Sequence, residues 1–179
     1  MSEGKRLAAL ILLAAAAWSQ AFAAPAPASG EAGEKILETV EFKGLDGAVH
    51  RLAEWKGKVI VLNFWASWCA PCQAEIRDFV QLQDAYGTKG LQIVGVGLDE
   101  EPKLKNVERT LGMNYPVLMV PQVSNRRLLA AWGNENGLVP YTVVIDRTGK
   151  PTYIHRGPMD EEVFRDQVFP LLGEEGAGT

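Results

Sequence analysis

The chain has 179 residues, enough for one ordinary domain with a short remainder, because domains typically contain about 100 to 200 residues. Its 18 basic and 22 acidic side chains give a formal net charge of -4, and this balance argues against a nucleic-acid partner. Two cysteines and two histidines are too few for a disulfide framework or a strong zinc site, and a hydrophobic content of 47% is typical of a globular domain.

Residues 1–23 have the organisation of an export signal. Lys5 and Arg6 are followed by an apolar run over 7–18 and by a small-x-small pattern that ends at Ala23. The run is shorter than the about 20 residues that span a bilayer core, so we expect cleavage after Ala23, with an uncleaved membrane anchor as the alternative. A soluble Ala-rich leading helix is the less favoured interpretation. The pattern predicts a protein in an oxidising compartment outside the cytoplasm.

The rest of the chain divides into a linker, a domain and a tail. Residues 24–35 mix Pro, Ala, Gly and Ser without periodicity, as flexible tethers do. Periodic patterns extend over 36–172, and 173–179 form a short tail. We therefore expect one folded domain that a flexible linker holds away from the N-terminus.

The first half of the domain has patterns of both strands and helices. Alternation at 40–42 and 49–52 predicts an antiparallel hairpin. The nearly continuous apolar run 59–65 is typical of a central strand that is covered on both faces, and 91–96 has the same character. Between these two strands, apolar residues recur at helical spacing over 72–86.

The second half is more varied. The charged segment 99–112 is helix-like, 115–118 is a short extended piece, and 126–132 is a short helix. Residues 141–155 predict a hairpin around a turn, and 163–172 predict one closing amphipathic helix. This order predicts an α/β fold with a mixed central sheet and helices on both faces.

The motif that carries chemistry is Trp68-Cys69-Ala70-Pro71-Cys72, where a buried strand ends and a helix begins. The N-terminus of a helix stabilises a thiolate and lowers the pKa of a cysteine at the position of Cys69. Cys72 follows one turn later, and Pro71 fits the first turn, where a missing N–H costs nothing. A structural disulfide would close only a tiny loop. Zinc would need two more ligands, and covalent haem would need a histidine where Gln73 stands.

These residues carry a resemblance to a known family. The stretch 57–75, with the sequence GKVIVLNFWASWCAPCQAE, resembles the TlpA/ResA-like branch of the thioredoxin superfamily, and so does 139–146. Members of this branch are exported, often membrane-tethered thiol-disulfide oxidoreductases. The resemblance covers about 36–172. It implies a thioredoxin fold with an N-terminal β-hairpin and a central insertion, which 99–115 would form.

The chemistry and the resemblance together imply residue roles. Cys69 is expected to be the attacking thiol and Cys72 the resolving one. The resemblance implies that Pro140 follows a cis peptide bond after Val139, beside the disulfide, and that the main chain of Val139 pairs with an extended partner segment. On sequence alone, Pro140 would also fit the start of a strand. Trp68 is expected to belong to an apolar surface that docks partners.

Glu75 is the third expected catalytic residue. It lies three residues after Cys72, so the two share a helix face, and the resemblance places an acidic residue here beside the cysteines. Its carboxylate could take the proton from Cys72. Asn63 supports this role, because many thioredoxins carry a buried aspartate at the matching strand position and the side chain of Asn63 cannot ionise. The alternative is a solvated helix glutamate.

Other residues near the motif are given no catalytic role. Trp65 fits the core as well as the site. Asp99 and Glu100 are candidates for a place near the site, but charged loop residues are usually solvated, which is the favoured interpretation. His50 and His155 lie in the predicted hairpins.

Three places depart from the family pattern. The family commonly has basic residues after the second cysteine, a proline soon after the glutamate and a small residue after the special proline. This chain has Gln73-Ala74, Arg77 and Tyr141 instead. We expect these positions to lie on the docking face, so they affect substrate preference rather than the redox pair.

The predicted protein is an exported thiol:disulfide oxidoreductase that uses no cofactor and no bound metal. The resemblance favours reduction of protein disulfides, in cytochrome c or copper-site maturation, with electrons from a membrane donor. The expected location is periplasmic or otherwise extracytoplasmic, with membrane contact only through an N-terminal anchor. Two alternatives are a Cu(I)-binding chaperone module, since thiolates favour Cu(I), and a thiol peroxidase, whose threonine and cysteine arrangement is not found here.

Overall fold

The structure is a computed structural model and describes residues 40–120 and 125–173. The predicted export signal (1–23) and linker (24–35) lie outside the described residues, so their bounds stay predictions. The strands are β1 (Glu41–Gly44), β2 (Val49–Arg51), β3 (Val59–Trp65), β4 (Leu91–Gly97), β5 (Val117–Met119), β6 (Tyr141–Ile145) and β7 (Pro151–Arg156). The helices are α1 (Ala70–Tyr86), α2 (Glu101–Leu111), α3 (Asn125–Ala131), α4 (Glu161–Gln167) and α5 (Phe169–Leu172), with single 3₁₀ turns at Leu52–Trp55 and Gly87–Lys89.

The described strands form one mixed sheet in the order β2-β1-β5-β4-β3-β6-β7. β3 lies near the middle, parallel to β4 and antiparallel to β6, and β4 is in turn parallel to β5. The sequence prediction of a mixed α/β sheet with a leading hairpin is confirmed. The predicted insertion forms α2 and leads into β5, which lies between β4 and the hairpin.

The central strands are buried along their whole length, as their apolar runs predict. One core cluster includes Leu62, Phe64 and Val143. Another contains Phe79 of α1 and Phe164 of α4, whose rings lie 6.4 Å apart. The sheet is therefore a rigid support for the loop that joins β3 to α1.

The closing helix differs from its prediction. Sequence periodicity predicts a single helix over 163–172, whereas the chain forms α4 and α5, which are separated at Val168. Pro170 explains the interruption, because a proline inside a continuous helix removes one N–H and its ring clashes with the carbonyl four residues earlier. In the structure Pro170 instead occupies the first turn of α5, where it is tolerated.

An arginine connects three chain segments at the end of the central strands that lies away from the disulfide motif. The Arg147 guanidinium donates hydrogen bonds to the carbonyl oxygens of Gly57, Lys89 and Leu172 at 3.1, 3.3 and 3.0 Å. Gly90 leaves the space for it, since a Cβ there would lie 2.7 Å from the guanidinium nitrogens. Arg147 thereby ties the starts of β3 and β4 to the end of α5.

Within 40–120 and 125–173, none of the helices has both the length and the apolar character needed to cross a bilayer.

Candidate active site

Cys69 and Cys72 form a disulfide with an S–S distance of 2.04 Å at the start of α1. Cys69 is the N-cap residue of this 17-residue helix, and its Sγ accepts a hydrogen bond from the Cys72 N–H at 3.3 Å. Such N–H groups stabilise a thiolate at the N-cap. Both cysteines are buried, but Cys69 retains 4% of its surface exposed and Cys72 none, so Cys69 is the more accessible of the two.

The loop before Cys69 is fixed by several hydrogen bonds. The Cys69 N–H donates to the Ala66 carbonyl at 3.1 Å, and the Gln73 side-chain amide donates to the Ser67 carbonyl at 2.7 Å. The Ser67 hydroxyl donates to the Asp99 carboxylate. Trp68 projects from this loop with 73% of its surface exposed. The loop therefore presents a large apolar side chain directly beside the reactive sulfur.

Asp99 is a correction to the sequence analysis, which expected a solvated loop residue. Its side chain is only 8% exposed and accepts hydrogen bonds from Ser67 and from the Glu100 N–H. Burial opposes its charge, but these hydrogen bonds and Lys103 outweigh it and lower the pKa of Asp99. The start of the inserted segment is thus connected to the loop that carries the cysteines.

Glu75 is buried, with 2% of its surface exposed, so its interpretation as a solvated glutamate is wrong. Its Oε1 accepts a hydrogen bond from the Asn63 amide at 2.7 Å, and its Oε2 accepts one from the Met159 N–H at 2.9 Å. Burial raises the pKa of Glu75 to about 7, although both hydrogen bonds favour the charged form. The Asn63 amide also donates to the Thr142 hydroxyl at 3.0 Å, which fixes its orientation.

The peptide bond between Val139 and Pro140 is cis, as the resemblance implies. Val139 packs against the core cluster that contains Cys69 and Cys72, and Pro140 is buried. Trp68, Val139 and the cysteines therefore lie in one region, as the sequence analysis expects.

Tyr141 does not lie on the docking face, which corrects the sequence analysis. It is 1% exposed, its ring packs edge-on against Phe64, and its hydroxyl donates to the Trp132 carbonyl at 2.6 Å. Because β6 pairs with β3 at this register, the side chain enters the core. Trp65 is likewise fully buried, which makes it a core residue.

The histidines lie outside this region. His50 is held between Asp46 and Glu54, with ring nitrogens 2.9 and 3.0 Å from their carboxylate oxygens. Sequence reasoning missed this pair of partners, although each lies four residues from His50. His155 contacts the Pro158 carbonyl. Among the described residues, no group of three or more His, Cys, Asp and Glu side chains is arranged as a metal site.

Sequence reasoning also missed Asn134, Leu138 and Met159 near the site. Asn134 bonds the main chain of Leu138, four residues later, and this spacing was a usable local signal. The Met159 N–H bonds Glu75 across 84 positions of sequence, and no local pattern predicts such a contact.

Comparison with known proteins agrees with this geometry. The model of the Redoxin family matches residues 31–168. The chain belongs to the Redoxin family. This Redoxin chain is 37% identical over 127 residues to the thiol-disulfide oxidoreductase ResA of Geobacillus thermodenitrificans, covering 69% of each chain. It is 34% identical over 130 residues to the thiol:disulfide interchange protein HelX of Rhodobacter capsulatus, covering 69% of this chain and 64% of HelX.

A solved structure gives the same assignment. The thiol:disulfide interchange protein of Chlorobium tepidum, a thioredoxin family protein, superposes with a TM-score of 0.65 at 32% identity. The match covers 75% of this chain and 93% of that one. This Redoxin protein is therefore a thiol-disulfide oxidoreductase with a thioredoxin fold, and both sequence predictions are confirmed.

Proposed function

We propose that this protein reduces disulfides in protein partners outside the cytoplasm, using Cys69 and Cys72 as its dithiol. The observation that carries the proposal is the asymmetry of the pair. Cys69, at the N-cap of α1, keeps 4% of its surface exposed, and Cys72, one turn later, is fully buried. An accessible, stabilised thiolate suits the attacking residue, and a buried thiol one turn later suits the resolving one.

The proposed reaction transfers two electrons in two steps. The Cys69 thiolate attacks a partner disulfide, so a Cys69–partner bond forms, the partner S–S bond breaks, and one partner thiolate leaves and takes up a proton. Cys72 then loses its proton and attacks Cys69, which forms the Cys69–Cys72 disulfide and releases the second partner thiol. Because the compartment is oxidising, each turnover requires a dithiol donor protein, which we place in the membrane.

Glu75 is proposed as the group that takes the proton from Cys72. It lies one helical turn further along α1, it is buried, and its pKa of about 7 allows it to accept and release a proton near neutral pH. In a Glu75→Gln variant we expect a lower pKa of the Cys72 thiol, because a neighbouring negative charge is removed. We also expect a slower resolving step, because glutamine cannot take the proton. Unchanged thiol titration and unchanged exchange rates would remove Glu75 from the mechanism.

Trp68, Val139 and Pro140 are proposed to dock the partner. Trp68 is the most exposed large apolar side chain among the described residues, and it directly precedes Cys69. The N–H and C=O of Val139 have no hydrogen-bond partner among the described residues. An extended partner segment can therefore pair with Val139 while its disulfide faces Cys69.

The export signal, the linker and the resemblance support the cellular role. Residues 1–23 have the pattern that directs export, and 24–35 would let the domain reach partners from a tethered position if the signal is not cut. The TlpA/ResA-like resemblance points to haem-attachment cysteines of apocytochrome c, or a cysteine pair of a copper site, as the disulfides to be reduced. The proposed location is periplasmic or otherwise extracytoplasmic.

The reduction potential of the Cys69/Cys72 couple tests the direction of electron transfer. The domain that begins at Ala24 is equilibrated with a dithiol buffer, and free thiols are alkylated and counted. A reductant is expected to have the potential of thioredoxin, about -270 mV, or a lower one. A potential near about -120 mV would identify an oxidant of folding proteins and refute the reducing role.

Covalent trapping tests whether exchange occurs at all. A Cys72→Ser variant, incubated with a disulfide-containing peptide, is expected to accumulate a mixed disulfide on Cys69, because the resolving step is absent. The matched Cys69→Ser variant should not accumulate one, since Cys72 is buried. Equal trapping by both variants would contradict the assigned roles.

A further inference from the structure

Leu138 is an exposed apolar residue with no part in the proposed disulfide exchange. It has 69% of its surface exposed and directly precedes Val139, which packs against the cluster containing Cys69 and Cys72. Trp68 adjoins Cys69 from the other loop. Two large apolar side chains are therefore presented to solvent from the two loops that meet at the disulfide.

The main chain of Leu138 is held by one side chain. Asn134 Oδ1 accepts a hydrogen bond from the Leu138 N–H at 3.2 Å, and Asn134 Nδ2 donates to the Leu138 carbonyl at 2.7 Å. Asn134 is itself buried, and its own N–H donates to the Leu129 carbonyl at 2.8 Å. Its amide thus occupies both main-chain groups of Leu138, as a neighbouring β-strand would.

The segment around Leu138 is anchored at further points. The Gly137 N–H donates to the Asn134 carbonyl at 3.3 Å, and Gly137 has the positive φ of 67° that suits glycine in such a turn. The Tyr141 hydroxyl holds the Trp132 carbonyl on the other side. These bonds restrain the turn from both sides, so Leu138 is held outward instead of folding back onto the core.

We propose that Asn134 is a positioning residue for partner recognition. By occupying the N–H and C=O of Leu138, it restricts main-chain pairing with a partner to Val139, and it presents the Leu138 side chain as an apolar contact. The partner class that fits is an extended protein segment with apolar residues next to its disulfide cysteine. This inference rests on the proposed disulfide reduction and adds the chemistry of the segment that is recognised.

Two synthetic peptides test the proposal. Each contains one intramolecular disulfide, and they differ only in having Leu or Ser on both sides of the first cysteine. The kcat/KM for reduction is measured with wild-type protein and with Leu138→Ser, Asn134→Ala and Asn134→Asp. Asn134→Asp keeps an acceptor for the Leu138 N–H but replaces the donor to the Leu138 carbonyl with a charged carboxylate oxygen. Val49→Ala is the matched control, because Val49 is another exposed apolar residue, 61% exposed, on strand β2.

The measured quantity is the ratio of kcat/KM for the Leu peptide to kcat/KM for the Ser peptide. We expect about tenfold in wild type and in Val49→Ala, the size of discrimination that a small apolar contact provides. The ratio should fall below about threefold in Leu138→Ser and Asn134→Ala and be intermediate in Asn134→Asp.

Other outcomes overturn the inference. A ratio near one in wild type would show that apolar flanks are not recognised. A ratio that persists in Leu138→Ser, or in Asn134→Ala despite a lower thermal stability, would leave Asn134 with a structural role only. If Asn134→Ala does not fold, Asn134→Asp and Leu138→Ser decide the question. If wild-type protein reduces neither peptide, the proposed function fails first, which is a different result from equal reduction of both.

Discussion

Replacing Glu75 with glutamine tests whether burial of this carboxyl group costs stability. Burial raises the pKa of Glu75 from an ordinary 4.5 to about 7, against the hydrogen bonds from Met159 and Asn63. Because the folded-state pKa is the higher one, the neutral carboxyl contributes stability that is fully present below pH 4.5 and is lost as the pH rises through 7. The pKa difference between the unfolded and the folded protein corresponds to about 3 kcal/mol of unfolding free energy, at about 1.4 kcal/mol for each pKa unit.

The variant is expected to fold, because the site can accept an amide. Asn63 Oδ1 has no hydrogen-bond partner within 40–120 and 125–173. If the Asn63 amide rotates, this oxygen can accept from the new amide and from the Thr142 hydroxyl. The Met159 N–H keeps an oxygen acceptor. The number of unpaired amide atoms therefore does not change.

The assay is urea unfolding of the oxidised protein at pH 4.5 and at pH 8. The free energy of unfolding of wild type, relative to Glu75→Gln, should fall by about 3 kcal/mol between these two pH values. An exposed glutamate in α4 supplies the control, since Glu162→Gln removes one carboxyl group without opening a buried site. A difference that is constant with pH, or that changes in the opposite direction, would refute the argument that burial of Glu75 disfavours its charge.

Three further predictions concern groups away from the sulfur atoms. Arg147→Ala should lower the free energy of unfolding by about 1 to 3 kcal/mol in urea titrations, since three main-chain carbonyls lose a charged donor. Arg147→Lys should recover only part of this loss. Hydrogen bonds to Glu54 and to Asp46 raise the pKa of His50, although burial opposes this shift. The stability lost in His50→Ala should therefore be larger at pH 6 than at pH 9. An equal loss at the two pH values would contradict the ion pair. Burial opposes the charge of Asp99, but the hydrogen bonds to its carboxylate lower its pKa. In thermal unfolding, the stability difference between wild type and Asp99→Asn should be present at pH 6 and shrink below pH 3.8. A difference that grows on acidification would refute this prediction.

The elements that sequence predicts well are those with strong local periodicity. β3 and α1 are predicted because an apolar run and a helical repeat meet at the cysteine motif, and the fixed chemistry of that motif places the disulfide between them. The closing segment was predicted as a single helix because its apolar spacing continues across Pro170. The proline itself does not fit inside a continuous helix, so the chain forms two helices there.

The parts that sequence misses depend on contacts between distant segments. Whether a helix glutamate is solvated or buried is decided by what covers it, and Glu75 is covered by Asn63 of β3 and Met159 of a loop near the C-terminus. Tyr141 was assigned to the surface by comparison with a family pattern, but the register between β6 and β3 directs it inward. Burial of polar groups follows from tertiary packing, so composition and spacing predict it poorly.

The placement of β5 makes the leading hairpin and the inserted segment depend on each other. β5 pairs with β4 on one side and with β1 on the other, through Lys43 opposite Met119 and Gly44 opposite Leu118. A chain that kept α2 and β5 but lost the hairpin would present open N–H and C=O groups along β5, which other chains can pair with and so aggregate. Loss of β5 alone would likewise leave the hairpin without the strand that it adjoins. These two additions to the thioredoxin sheet are therefore expected to be gained, lost or transplanted together, and a shortened version of the domain should remove both.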